Sequence, residues 1–416
     1  MAPGPMDAHV GRGDDGTIRI AAGPAASHDF TRAVLEVAGA VLAWNVLGAP
    51  GPPVAEIHDA ARAQQWLWAV YGERTAATVH ACAAGELAEV RVPADMTALA
   101  SSAVRLGFGH WAARWWPASH LDGIPALEPD VIGLELAALT HECQQLFDAE
   151  GDQPDDCVAE LIEEHQLALD QLIQWWHATP PSTDTARRLE SVLRSVDDAA
   201  DTAGLDGQAL RRLRSSLDRP RPDGTPVDPA SLFVRDRDYA LAAGEPLVAG
   251  GRVIARGSGT NDWRRYPPGF VDASETAVSW TARALGARRQ IEVEVVAHLA
   301  APATGAPLLV AEVEVDGGHL SRVPLARRDD LWSGRADLEL PDAGRTQPRI
   351  EIGVLLPGFD PGPGPEAGAD RDAIRALVRR RLATAAQPFA HNTSPYEGTS
   401  GPFLAELTAS TTDEDY

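Results

Sequence analysis

The hydrophobic residues of this chain change their spacing near residue 225, and this change limits the possible folds more than any other feature of the sequence. Between residues 130 and 217 apolar residues recur every three or four positions, as on one face of an α-helix. After residue 230 they alternate with polar residues, as in strands with one buried face. The run Arg-Pro-Arg-Pro-Asp-Gly at 219–224 favours an extended chain, because proline disfavours a helix at and before its own position. We therefore predict an α+β multidomain protein in which an antiparallel helical layer precedes an antiparallel β-sandwich.

A chain of 416 residues is long enough for two or three cores. The predicted regions are a disordered start (1–16), a mixed α/β N-terminal domain (17–125), a helical bundle-like region (126–218), a linker (219–229), a β-sandwich domain (230–356), a Pro/Gly spacer (357–368), a C-terminal helix (369–387) and an acidic flexible tail (388–416). Within the mixed domain, spacing and turn residues predict helices over 27–44, 54–72 and 95–116 and short strands over 17–22, 76–83 and 88–92.

All 36 basic residues are arginine, and this excludes several classes of enzyme. Pyridoxal enzymes need a Schiff-base lysine, and P-loop NTPases and protein kinases need a lysine at the phosphates. No βαβ unit carries a GxGxxG pattern, and the GxSxG pattern of α/β-hydrolases is missing. The run HECQQ at 141–145 lacks the HExxH spacing of a helical zinc site. We therefore expect neither a cofactor nor a metal.

The charge and the cysteines indicate a cytoplasmic protein. A net charge of −24 repels the phosphate backbone of nucleic acids. No apolar run reaches the roughly 18 residues of a membrane span, and the first 16 residues lack the apolar core of a signal peptide. Cys82, Cys143 and Cys157 are an odd number without CxxC spacing, which is typical of a reducing compartment. We expect no binding to nucleic acid or to membranes.

Cys143 and His165 are the candidates for a catalytic pair of thiol and imidazole. Both fall on apolar stripes of helices that we expect to form an antiparallel hairpin, because the connection at 150–154 is short. Their predicted positions differ by about 6 Å along the helices. We favour the alternative that both residues pack in the core, the cysteine as a small hydrophobic side chain.

A second candidate is a loop of five residues that combines aromatic and charged side chains. It consists of Asp262, Trp263, Arg264, Arg265 and Tyr266. Tryptophan, tyrosine and arginine are the residue types enriched in the energetic centres of protein interfaces, and loops carry binding function more often than packing. The alternative is a structural role, with the arginines paired to acids and the tryptophan filling the domain junction, and we favour it slightly.

The last 29 residues carry five acids and no arginine, and their Pro, Ser, Thr and Gly content predicts a flexible tail. Tyr396, Phe403 and Leu407 are spaced apolar side chains within it. Such side chains in a disordered segment can order on a partner or dock on the same chain. A purely solubilising tail is the equal alternative.

These observations lead to three hypotheses about function. The first is a non-enzymatic cytoplasmic accessory, adaptor or scaffold protein that binds a protein partner through the loop at 262–266 and the tail. The second is an enzyme that uses Cys143 and His165. The third is a carrier whose C-terminal tail is recognised or modified by a partner enzyme. Because no catalytic motif is present, we favour the first, and the oligomeric state stays open.

Overall fold

The structure is a computed structural model, and two compact units make up the chain. Unit 1 comprises Met1–Ala113, Leu127–Val234 and Arg379–Tyr416, and unit 2 comprises Arg114–Ala126 and Arg235–Val378. The described residues are 6–21, 28–48, 51–87, 89–94, 96–147, 154–178, 183–219, 227–233, 252–298, 301, 309–338, 349–359, 367–387 and 401–410. Helices and antiparallel sheets occur in both units, and the predicted α+β multidomain class is confirmed.

A six-stranded antiparallel sheet forms the first layer of unit 1, with the strand order β3-β4-β5-β2-β1-β6. The strands are β1 (Met6–Arg12), β2 (Ile18–Ala21), β3 (Arg32–Val37), β4 (Ala40–Asn45), β5 (Val54–Ile57) and β6 (Glu89–Ala94). The prediction of a disordered start is wrong for residues 6–16, because β1 pairs with β2 on one side and with β6 on the other. Ala8 and Val10 of β1 are fully buried, so the alternating pattern of a strand begins earlier than we predicted.

The helix predicted over 27–44 is wrong, because β3 and β4 form a hairpin there. Val37 pairs with Ala40, which leaves a tight turn in which Gly39 has a φ of 71°. A Cβ atom at Gly39 would lie 2.3 Å from the carbonyl oxygen of Asp59, so only glycine fits this turn. Some of the apolar residues that recur every three or four positions also fit the alternating pattern of a strand. Pairing of β4 with β5 stabilises the strand at this place.

Two further predictions are wrong, the helix over 54–72 and the strand over 76–83. The structure has β5 and one interrupted helix, α1 (Ala60–Ala83), in their place. The carboxylate of Asp59 caps its start by accepting hydrogen bonds from two backbone N–H groups. Gly72 interrupts the helix with a φ of 80°, and the backbone returns to helical geometry beyond it. The break at Gly72 was therefore visible in the sequence, but the second helical stretch was not.

Further helices complete unit 1, and they agree with the predicted helical layer. They are α2 (Ala98–Trp115), α3 (Pro129–Glu142), α4 (Pro154–His165), α5 (Leu169–His177), α6 (Thr183–Thr202), α7 (Gln208–Leu217) and the single turn α8 (Pro229–Leu232). The division between the units falls inside α2 and inside α9 (Gly368–Ala386), the C-terminal helix predicted for 369–387. Buried leucine, valine and tryptophan side chains of α3 to α7 supply much of the core.

The prediction of a flexible tail is wrong for residues 401–410, which belong to the core of unit 1. They include the short helix α10 (Leu404–Ser410), and Leu404 and Glu406 are fully buried. Glu406 forms an ion pair with Arg381, with distances of 2.6 and 2.7 Å. A buried acid is stable only when it is paired, and this pairing with a distant arginine has no local signal in the sequence.

Unit 2 contains two antiparallel sheets, as the prediction of a β-sandwich requires. The five-stranded sheet has the order β12-β13-β9-β8-β7 and the three-stranded sheet the order β11-β10-β14. The strands are β7 (Arg252–Ser258), β8 (Val278–Leu285), β9 (Arg288–Val296), β10 (Val310–Val315), β11 (Ser321–Pro324), β12 (Ala326–Arg328), β13 (Leu331–Asp337) and β14 (Ile350–Leu355). One residue, Leu325, separates β11 from β12, so the chain passes directly from one sheet to the other. Among the described helices of the whole chain, none is long and apolar enough to cross a membrane.

Candidate ligand-binding site in unit 1

The two residues of the predicted catalytic pair lie at opposite ends of α3. Nδ1 of His165 is 3.1 Å from a carboxylate oxygen of Asp130, and its ring lies against Gly133. Cys143 follows the last residue of α3, ten residues after Gly133, or about 15 Å along the helix axis. The catalytic pair is therefore wrong, because α3 ends at Glu142, earlier than we predicted.

The environment of Cys143 is that of a packing residue. Its side chain is fully buried, and burial raises the pKa of the thiol. A protonated thiol is a poor nucleophile. Among the described residues, no group of three or more His, Cys, Asp or Glu side chains could hold a metal ion.

Three of the five residues of the aromatic and charged loop at 262–266 are buried within unit 2. Asp262, Trp263 and Tyr266 are 3 to 6 % exposed, so their side chains offer almost no surface to a partner. The Tyr266 hydroxyl donates a hydrogen bond to Asn261, and burial raises its pKa. These three residues form part of the packing of unit 2.

Both arginines of this loop pair with acids of the same unit. Arg264 contacts the carboxylate of Asp262 with a shortest distance of 2.6 Å, and the guanidinium of Arg265 contacts Glu312. Arg371 on α9 lies 3.7 Å from the other oxygen of Asp262 and bonds Glu275 at 2.6 Å. The neighbouring arginines lower the pKa of Asp262 against the opposing effect of its burial. The contacts support the structural alternative for this loop.

The predicted binding residues of the tail divide into two groups. Tyr396 lies outside the described residues. Phe403 and Leu407 are 1 % and 5 % exposed and lie in the core of unit 1. The Phe403 ring stacks on Phe108 at 6.2 Å, and the guanidinium of Arg105 lies 4.4 Å from its centre.

A cavity of about 540 Å³ lies beside this docked segment, and its size falls within the range of small-molecule sites. Three helices of unit 1, α2, α3 and α6, supply most of its wall. The lining residues are Met96, Thr97, Ala98, Ser101, Ser102, Arg105, Glu135, Ala138, Leu139, Glu142, Arg188, Ser191, Val192 and Ser195. None of them is among the candidate residues predicted from the sequence.

At one end of the cavity, Glu135 accepts hydrogen bonds from arginines of α2 and α6 and from the backbone of the C-terminal segment. One carboxylate oxygen accepts from Arg188 at 3.0 Å and from Arg105 at 3.4 Å. The other oxygen accepts from the backbone N–H of Leu404 at 2.5 Å. Arg105 also donates to the carbonyl of Gly401 at 2.9 Å. The same buried charges therefore line the cavity and hold the C-terminal segment.

Burial governs the electrostatics of this end. The side chain of Glu135 is 2 % exposed and that of Arg105 is 7 % exposed. Burial raises the pKa of Glu135 to about 7, against the opposing effects of Arg105 and the Leu404 N–H. Two guanidinium groups, those of Arg105 and Arg188, therefore contact the one carboxyl group of Glu135.

The other end of the cavity is acidic, and the middle is largely apolar. On α3, Glu142 follows Glu135 by seven residues, and on α6, Ser195 follows Arg188 by seven, about 10 Å along each helix. Ser195 Oγ lies 3.5 Å from a Glu142 oxygen. The apolar middle is formed by side chains that lie between the two ends on the same helix faces, namely Ala138, Leu139 and Val192.

Comparison with family models, curated proteins and solved structures finds no significant match. The assignment of a function to this chain therefore rests on the geometry of its own residues. In that geometry, Glu135 is the central group, because it joins α2, α3, α6 and the C-terminal segment.

One signal in the sequence could have indicated Glu135. It is the only charged residue between Asp130 and His141, in a helix whose other residues in this interval are apolar or small, except Thr140. An isolated acid on an apolar helix is expected to have a buried partner. The partners themselves, Arg105 and Arg188, are 30 and 53 residues away, and no local pattern distinguishes them from exposed arginines.

Proposed function

We propose that this chain is a non-enzymatic cytoplasmic accessory protein that binds a small polar molecule in the cavity of unit 1. The observation that carries the proposal is the cavity of about 540 Å³ whose wall combines two arginines, a buried glutamate and apolar side chains. A large pocket with a few convergent polar groups and a shifted pKa is the feature typical of a ligand site.

The groups around the cavity favour binding over catalysis. Both oxygens of Glu135 are already engaged by hydrogen bonds, so its shifted pKa does not leave a base facing a substrate. Among the described residues that line the cavity there is no histidine or cysteine, and four lining serines therefore have no imidazole beside them to activate a hydroxyl.

Thermal unfolding of the full chain with a panel of small molecules tests the proposal. The panel should contain amino acids, carboxylates, amines, sugars, nucleosides and inorganic phosphate, each tested separately. A compound that binds only the folded chain raises the melting temperature by mass action. We expect at least one class to do so.

A cavity-filling variant shows whether such a compound occupies this site. Ser191→Phe places a ring at an exposed lining position and should abolish the shift. Arg187→Phe, on the same helix at an exposed position outside the lining, is the matched control and should retain it. If no compound raises the melting temperature, or if Ser191→Phe leaves the shift intact, the proposed site is wrong.

The adaptor role and the protein partner predicted from the sequence stay predictions. A protein partner would have to contact side chains that are largely buried, namely those of the five residues at 262–266 and of Phe403 and Leu407. The carrier hypothesis meets the same difficulty at residues 403–409, all of which are buried. A ligand in the cavity would touch residues that hold this segment, so small-molecule binding and a role of the segment in a partner complex are compatible.

A further inference from the structure

We infer that the ligand is a zwitterion with a carboxylate at one end, an amine at the other and a short aliphatic chain between them. This inference rests on the proposed function, because it names the class of molecule that the same cavity would take. It is carried by the arrangement of charges along two adjacent helices, α3 and α6, that line the cavity.

The two helices carry matched patterns on the faces that line the cavity. On α3 the lining residues are Glu135, Ala138, Leu139 and Glu142, and on α6 they are Arg188, Ser191, Val192 and Ser195. Both sets follow the spacing i, i+3, i+4, i+7, which places each set on one helix face. Each set therefore forms a row about 10 Å long, with polar groups at the ends and mainly apolar groups between them.

The end at Arg188 suits a carboxylate. Arg105 and Arg188 bring two positive charges to the single carboxyl group of Glu135, and this favours an anionic group of a ligand at the same end. Arg188 uses Nη2 to reach Glu135, and its Nε is buried and has no hydrogen-bond partner among the described residues. Arginine favours carboxylate because its planar donors match the two oxygens.

The end at Glu142 suits an amine. Glu142 lines the cavity and contacts Ser195, and among the described ion pairs no arginine contacts its carboxylate. Burial raises the pKa of this carboxyl group, and the charge of Arg105 opposes that effect. Between the two ends, Leu139 and Val192 offer apolar contact for methylene groups. An extended 6-aminohexanoate is about 8 Å long between its charged groups, which is comparable with the row of about 10 Å on each helix.

Four probes separate the contributions of the two ends. They are 6-aminohexanoate, L-lysine, hexanoate and hexylamine, each titrated calorimetrically into the full chain. A hydrogen bond to a charged group contributes about 1.5–3 kcal/mol, so we expect 6-aminohexanoate and L-lysine to bind roughly 10-fold or more tightly than hexanoate or hexylamine.

Glu142→Gln tests the acidic end without disturbing the core, because Glu142 is exposed. It should lower the affinity for 6-aminohexanoate to that for hexanoate and leave the affinity for hexanoate unchanged. Glu190→Gln, at a partly exposed acid of α6 outside the lining, is the matched control and should change neither. Arg188→Gln should remove binding of all three carboxylate probes, and its melting curve shows whether it folds.

The outcomes separate this inference from the function on which it rests. If hexanoate and 6-aminohexanoate bind equally, or if Glu142→Gln has no effect, the zwitterion is wrong. If the four probes fail while another class in the thermal panel binds and Ser191→Phe abolishes its binding, the site stands and the ligand class is wrong. If nothing in the panel binds, both are wrong.

Discussion

Glu135 places a carboxyl group in a buried part of α3, and this ties the stability of unit 1 to pH. In an unfolded chain the ordinary pKa is 4.5, whereas burial raises the pKa in the folded unit to about 7. Between these values the folded chain binds more protons than the unfolded chain. The free energy of unfolding should therefore fall as the pH rises from about 4.5 to about 7 and be level above that.

Urea unfolding of the natural chain and of Glu135→Gln at pH 5 and pH 8 isolates this contribution. Each pKa unit corresponds to about 1.4 kcal/mol, so the free energy of the natural chain minus that of the variant should decrease by up to about 3 kcal/mol between the two pH values. Glu190→Gln, which removes a partly exposed acid, should show no such change. An unchanged difference would mean that Glu135 has an ordinary pKa in the folded chain.

The cysteines give a second prediction at the same scale, because burial separates them. Cys82 and Cys143 are fully buried, and burial raises the pKa of both thiols, while Cys157 is exposed. Iodoacetamide at neutral pH should therefore add one group to the native chain and three in urea, as intact mass shows. A second rapid adduct on the native chain would contradict the buried position of Cys82 or of Cys143.

At the scale of elements, α10 is the piece whose role changes most between sequence and structure. Phe403, at its start, is 1 % exposed and lies against Phe108 and Arg105. Phe403→Ala should lower the free energy of unfolding by about 3–5 kcal/mol, through lost burial and the cavity that remains. Leu167→Ala, at a side chain that is 72 % exposed, is the control and should change it by less than about 0.5 kcal/mol.

Urea unfolding followed by the circular dichroism of the helices measures both variants. Equal midpoints of urea unfolding for the natural chain and for Phe403→Ala would support the flexible tail predicted from the sequence. A loss confined to Phe403→Ala would show that the segment stabilises unit 1.

Helices and strands were predictable where one face of the element is buried and the spacing of its apolar residues is visible within a short stretch of sequence. Strand β8 alternates buried and exposed residues from Val278, and α6 buries Leu189 and Val196 at helical spacing. The hairpin at 32–45 was not predictable, because Val34, Val37 and Val41 fit a helical spacing as well as a strand. Pairing with β5 and the turn at Gly39 stabilise the hairpin over a helix. Both depend on contacts with residues beyond the hairpin.

At the scale of the whole molecule, the order of regions along the chain was a poor guide to which residues share a core. Leu404 donates to Glu135 across 269 residues, and Arg105 reaches Gly401 across 296. Sequence periodicity reports local faces only, so it could find the helices around the cavity but not the charges that converge there. For this reason we predicted a tail where the structure has a core element.

The composition of unit 1 leads to the last prediction, which concerns a truncated chain of residues 1–234. This fragment keeps α2, α3 and α6 but lacks residues 379–416, which are part of the same unit. Glu135 then loses the Leu404 N–H and Arg105 loses the Gly401 carbonyl, and each buried group without its partner costs about 1–3 kcal/mol. The lost burial of Phe403 and Leu404 adds about 2 kcal/mol for each side chain. Together these losses are comparable with the whole stability of a domain, about 5–15 kcal/mol, so the fragment should lack a cooperative thermal transition in circular dichroism.

Co-expression with residues 379–416 should restore the cooperative transition of the fragment. A chain ending at Ser410, which keeps every described contact of the segment, should melt like the full chain. A cooperative transition in the fragment alone would show that unit 1 does not need its C-terminal segment.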